Sequence, residues 1–135
     1  MIADTNIVIH LIDEFLTPDS QSPLQGYAAE RELVVNEIIF AEISGQYESM
    51  DAVVDLLHAL RMRTVRLTLD ECFRAGMAFR EYRRKGGPRT TILPDFLIGA
   101  QASVRNWPIL TRDTKRFSTY FPEVELINPM QAPND

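Results

Sequence analysis

Short apolar, β-branched runs alternate with helix-patterned segments along this chain, and no hairpin signal such as Asn-Gly joins any two of them. Strands that cannot turn straight back must return through a helical crossover, and so they pair parallel. The crossover helices then cover the sheet on both faces. The expected fold is therefore α/β, a three-layer α/β/α sandwich around a parallel sheet. One domain is expected over residues 1–127, with 128–135 as a frayed tail holding two prolines.

In order, Met1–Asp4 reads as a strand, with Thr5 or Asn6 capping a helix to about Glu14. A turn-rich loop, 17–23, leads to a weakly patterned helix over Leu24–Arg31 and a buried strand at Glu32–Val35. Asn36 can cap a helix from Glu37 to about Gln46. Met50, Val53, Val54, Leu57 and Leu60 form the apolar stripe of the next helix. A strand at Thr64–Leu67 precedes a long helix, capped by Thr68 or Asp70 and ending at Gly86-Gly87-Pro88. That helix presents Cys72, Ala75, Gly76, Phe79 and Tyr82 along one face. Pro94 opens a helix to about Arg105, followed by a strand at Ile109–Thr111, a short helix at Asp113–Tyr120 and a fifth strand at Val124–Ile127.

Cys72 is the only cysteine, which excludes a disulfide framework and a zinc cluster, and it is expected to be a buried small hydrophobe. His10 and His58 lack a spaced partner and read as packing residues. No run approaches the length of a membrane span and no basic leader is visible, so the expectation is a soluble cytoplasmic protein. The net charge of −5 conceals two opposed halves. Residues 1–60 carry eleven acids and one base, whereas residues 61–135 carry thirteen bases and eight acids. The bases cluster at Arg80, Arg83, Arg84, Lys85 and Arg89, and again at Arg112, Lys115 and Arg116.

Four acids stand out against this background. Asp4 and Asp113 follow strands and so share the carboxyl edge of a parallel sheet, where open α/β folds bind ligands. Each alone would serve equally as a helix cap. Glu42 follows Ile38 and Ile39 on an apolar helix face, where a buried carboxylate demands a cation, a proton or hydrogen bonds. Asp95 is the one polar side chain in Ile92–Ala100, in a helical first turn that favours negative charge, with Gly99 one turn on permitting close packing. Gathered in one place, four carboxylates would raise one another's pKa, and a hard divalent ion would relieve the conflict. Mg²⁺ or Mn²⁺ at such a site activates water against a phosphodiester.

The order and spacing of four segments resemble a PIN-domain ribonuclease of the VapC toxin type. They are Asp4-Thr5-Asn6, Asn36–Glu42, Pro94–Ala100 and Leu110–Phe117. The resemblance implies a homodimeric, Mg²⁺- or Mn²⁺-dependent endoribonuclease. It also implies a small cognate antitoxin that blocks the site. Carried over by position, Asp4, Glu42, Asp95 and Asp113 form the acidic quartet, with Asp4 and Asp95 the firmest ligands and Asn6 and Thr111 as polar support. The chain departs from the pattern at Glu37 and at Ser44-Gly45, neither of which touches the quartet. An acidic site alone would repel RNA, so Arg83, Arg84, Lys85, Arg89, Arg112, Lys115 and Arg116 are the candidate phosphate contacts. Two alternatives stay open: a catalytically silent protein-binding module, and a phosphoacceptor of the receiver type. The receiver reading lacks both an acidic pair after the first strand and an Asp after Thr64–Leu67.

Overall fold

The computed structural model describes residues 1–17 and 23–130. Most of the expected loop at 17–23, and the last five residues of the expected tail, lie outside them. Five parallel strands form one sheet: β1 (Ile2–Ala3), β2 (Val34–Val35), β3 (Arg63–Thr64), β4 (Ile109–Leu110) and β5 (Leu126–Ile127). Their order is β3-β2-β1-β4-β5. The helices are α1 (Thr5–Phe15), α2 (Pro23–Ala29), α3 (Glu37–Ser44), α4 (Met50–Ala59), α5 (Leu69–Arg84), α6 (Pro94–Arg105) and α7 (Lys115–Ser118).

The strand order fixes the layers. From β1 the chain steps outward to β2 and β3, then returns past β1 to β4 and β5. Right-handed crossovers put helices on opposite faces for opposite directions of travel. Thus α1–α4 cover one face and α5–α7 the other, and the expected α/β/α sandwich is the fold observed. The direction reverses between β1 and β4, so their carboxyl ends flank the crevice where such sheets bind ligands.

Local chemistry sets the helix boundaries. Asp4, rather than Thr5 or Asn6, is the N-cap of α1, accepting from the Thr5 amide. Asn36 caps α3 through the Ile38 and Ile39 amides, as expected. Thr68 and Glu71 form a reciprocal capping box at α5. Gly86 stops that helix at a φ of 88°. β3 begins one residue earlier than expected and is exposed, as befits an edge strand.

Two expectations about α5 and α3 are corrected. The buried face of α5 runs through Glu71, Ala75 and Ala78, with Phe79 and Tyr82 packed beside it. Cys72 and Gly76 lie outside that face, and Cys72 is an exposed free thiol. Glu71 is the reason: a polar residue at a core position shifts the stripe by one residue. On α3 the buried residues are Ile39 and Ile43, so Glu42 lies at the edge of the stripe and is exposed. The expected burial of Glu42 is therefore wrong.

The core is apolar and continuous, and takes in Ile2, Val35 and Ile109 from the strands with Ile7, Ile98 and Phe117 from the helices. Gly99 lets α6 meet Phe121: a Cβ there would lie 2.4 Å from the ring. Glu71, 1% exposed, is held by the Thr68 hydroxyl at 2.8 Å and by Arg105 Nε at 3.2 Å from each carboxylate oxygen. Burial pushes the Glu71 carboxyl up, but hydrogen bonds from Thr68 and Arg105 outweigh it and leave its pKa below the ordinary value.

Two outcomes follow. Gly99→Ala should destabilise by about 1–3 kcal/mol through overpacking against Phe121, read as a lowered midpoint of thermal unfolding. A depressed folded pKa gives stability that is present above the unfolded value and lost as pH falls through the folded one. Glu71→Gln should therefore be clearly less stable than wild type at about pH 7, with the gap narrowing towards about pH 3 in urea unfolding.

Candidate active site

At the end of β1 the chain turns into α1 and buries the Asp4 side chain beneath the sheet edge, at 1% exposure. Its backbone amide donates to the Leu110 carbonyl at 2.9 Å, which locks the end of β1 to β4. One carboxylate oxygen accepts from the Thr5 amide at 2.8 Å. The other accepts from the Thr111 hydroxyl at 2.8 Å and from Arg116 Nη2. Thr111 is fully buried, and its hydroxyl oxygen also accepts from the Asp113 amide at 3.1 Å. One side chain thereby ties Asp4 to the loop that carries Asp113.

The other acids arrive from three elements. Glu42, on α3, accepts from the Thr5 hydroxyl at 2.7 Å, so the first residue of α1 bridges to it. Asp95 sits in the first turn of α6 and is half-buried. Burial raises its carboxyl above the ordinary value; Arg116 opposes this, and the charges of Asp4, Glu42 and Asp113 add to it. The charges of the other three acids thus reach Asp95. What brings them together is the sheet: Asp4 and Asp113 come from the two strands at its reversal point, with α3 and α6 meeting over the same edge.

Between the acids stands a guanidinium that the sequence reading placed among the phosphate contacts. Arg116, on α7, reaches Asp4 through Nη2, and its Nε lies 3.6 Å from Asp95 and 3.9 Å from Asp113. Among the described residues, no three of the His, Cys, Asp and Glu side chains are grouped closely enough to hold a metal ion as they stand. The donor set nonetheless has the chemistry that hard divalent cations take: carboxylate oxygens, with no thiolate or imidazole among them. The Asn6 side-chain oxygen, two residues on from Asp4, is buried without a hydrogen-bond partner. The donor types of Asp4, Asp95, Glu42 and Asp113, all carboxylate oxygens, are those that Mg²⁺ or Mn²⁺ takes.

The remaining predicted bases are dispersed. Arg112 lies 3.1 Å from His10 Nδ1, whose Nε2 is 2.7 Å from Glu14. Asn6, His10 and Arg112 border a cleft of about 420 Å³ along α1. His10 therefore sets the position of a basic side chain, which its isolation in sequence did not signal. Arg83 holds the loop after α5 by donating to the carbonyls of Gly87 and Arg89. Lys85 pairs with Glu81 and lies over the Tyr120 ring. Among the described residues no ion pair joins Arg83, Arg84, Lys85, Arg89 or Lys115 to the four acids. A small hollow of about 140 Å³ between Asp95, Arg116, Tyr82 and Tyr120 lies between that region and the acids.

Comparison with known proteins bears on the fold. No curated protein matches the chain. Solved structures of similar fold include the DNA-bound VapBC from Salmonella typhimurium, at 18% identity over 95% of this chain and 96% of that one, with a TM-score of 0.73. A toxin–antitoxin complex from Klebsiella pneumoniae matches at 20% identity over 97% and 98%, with a TM-score of 0.68. VapBC2 from Rickettsia felis, bound to a DNA fragment from its promoter, matches at 20% over 94% and 96%, with a TM-score of 0.65. At these identities the likeness is one of fold. The PIN domain family model matches residues 1–121, and the chain belongs to the PIN-domain family.

Proposed function

We propose that this protein is a metal-dependent endoribonuclease, the toxin of a toxin–antitoxin pair. The observation that carries the reading is the convergence of Asp4, Glu42, Asp95 and Asp113 at the reversal point of a PIN-domain sheet. The kinship in fold with VapBC complexes supports the toxin assignment and a small cognate antitoxin as partner. A homodimer at work in the cytoplasm, as read from the sequence, completes the proposal.

In this reading Asp4 and Asp95 hold Mg²⁺ or Mn²⁺, with Glu42 and Asp113 completing the site directly or through water. Thr111 and Thr5 orient the acids by the hydrogen bonds they donate to Asp4 and Glu42. Asn6 supplies a further acceptor at the cleft wall. When bound, the metal supplies a Lewis acid and an activated water for phosphodiester hydrolysis. The protein's own part is to fix the acids on rigid strand ends and helix starts, and to hold the RNA backbone against their repulsion. Arg112, steadied by His10 at the cleft, is the best-placed phosphate contact outside the acids. Lys115 and the bases of the α5 end, Arg83, Arg84, Lys85 and Arg89, extend the positive rim. Such contacts position RNA without reading its sequence. Single-stranded or looped RNA is the substrate class whose backbone and bases are accessible.

Purified protein should cut structured RNA in Mg²⁺ or Mn²⁺, and EDTA should stop it. Asp95→Asn should lower the rate by on the order of 10²-fold or more, since even indirect ligand partners cost 10–100-fold. Cleavage that survives both EDTA and Asp95→Asn sinks the assignment. No cleavage, together with no Mn²⁺-dependent rise in melting temperature, points instead to a catalytically silent binding module.

A further inference from the structure

We infer that Arg116 is a built-in counter-ion for the acid cluster and that a divalent cation binds by displacing its guanidinium. The inference rests on the reading of the acids as a metal site, and adds to it a residue that competes with the metal.

The argument begins with Asp4. A carboxylate at 1% exposure must be neutralised or fully hydrogen-bonded. Thr5 and Thr111 give it neutral donors, and Arg116 is the cation that touches it. The same guanidinium faces Asp95 and Asp113 through Nε. Arg116 thus contacts three of the four acids, each from a different part of the chain. A planar fork with five donors is suited to such bridging.

A hard dication and a guanidinium cannot share these oxygens. At about 4 Å two positive charges repel, and more strongly in a half-buried site than in water. The oxygen of Asp4 that accepts Arg116 also accepts Thr111, so two donors already share it. Metal entry therefore requires Arg116 to leave. Its side chain is 35% exposed and its anchor is the four-residue α7, so it has solvent to move into while the strands stay fixed. Without metal, Arg116 keeps Asp4 paired and holds α6 and α7 against the end of β1. With metal, that electrostatic role passes to the ion.

The test is Mn²⁺ titration by calorimetry, with thermal melts in EDTA and in saturating Mn²⁺, on wild type, Arg116→Met, Arg116→Lys and Arg80→Met. Arg80 is an exposed α5 residue and controls for the loss of one positive charge. Arg116→Met should melt below wild type in EDTA, and the gap should close in Mn²⁺. It should bind Mn²⁺ on the order of tenfold tighter or more, because a semi-buried ionic competitor is gone. Arg80→Met should bind as wild type does. Arg116→Lys, which lacks the fork, should fall between wild type and Met, and it decides the matter if Arg116→Met does not fold without metal. Equal Mn²⁺ affinity in wild type and the Arg116 variants overturns the inference while leaving the metal site standing. Absence of Mn²⁺ binding in every variant overturns the metal reading itself.

Discussion

The structure depends on one buried carboxylate. Asp4 ends β1, caps α1, receives the hydroxyl of Thr111 from the end of β4 and pairs with Arg116 from α7. Its backbone amide completes the β1–β4 ladder. Elements from both ends of the chain are therefore joined at a single side chain. A buried charge is tolerated only where its surroundings over-determine its partners. Here the parallel sheet does so, because it brings the ends of β1 and β4 side by side at the point where the strand order reverses.

The topology was legible because a parallel sheet leaves plain marks: apolar β-branched runs, helices between them, and no hairpin turns. The placement of Asp4, Asp95 and Asp113 at one edge was legible for a related reason, since strand ends and helix starts in such a fold point there. Finer features depended on details that periodicity does not carry. Cys72 and Gly76 fit an apolar stripe, but Glu71 occupies the core position one residue away, satisfied by Thr68 and Arg105. No propensity argument foresees a buried Glu whose partner lies 34 residues on. Glu42 was expected to be buried because its neighbours are isoleucines, yet α3 turns its Ile39–Ile43 face inward and leaves Glu42 at the rim. That rim position is what allows it to meet Thr5 across the crevice. Arg116 was read as a phosphate contact because it sits in a basic run; its length lets it fold back onto Asp4 and Asp95 from other segments, as well as onto Asp113 three residues before it.

Glu71 and Asp4 are both about 1% exposed and both paired with arginine, yet they do different work. Around Glu71 the charges balance: one carboxylate, one guanidinium donating to both oxygens, and a threonine that supplies further donors. The result is a closed pair that fastens α5 to α6 and depresses the Glu71 pKa. Around Asp4 they do not balance. One guanidinium is divided among Asp4, Asp95 and Asp113, with Glu42 acting on Asp95 as well, and the Asp95 pKa is raised. A site meant only to stabilise the fold gains nothing from that excess, since like charges a few ångströms apart cost energy and apolar replacements would serve better. The two arrangements thus differ in kind: one carboxylate to one guanidinium at Glu71, three carboxylates to one guanidinium at Asp4. On the proposed reading a divalent ion would supply what is missing, and the partly exposed guanidinium of Arg116 is the part of the site with room to move.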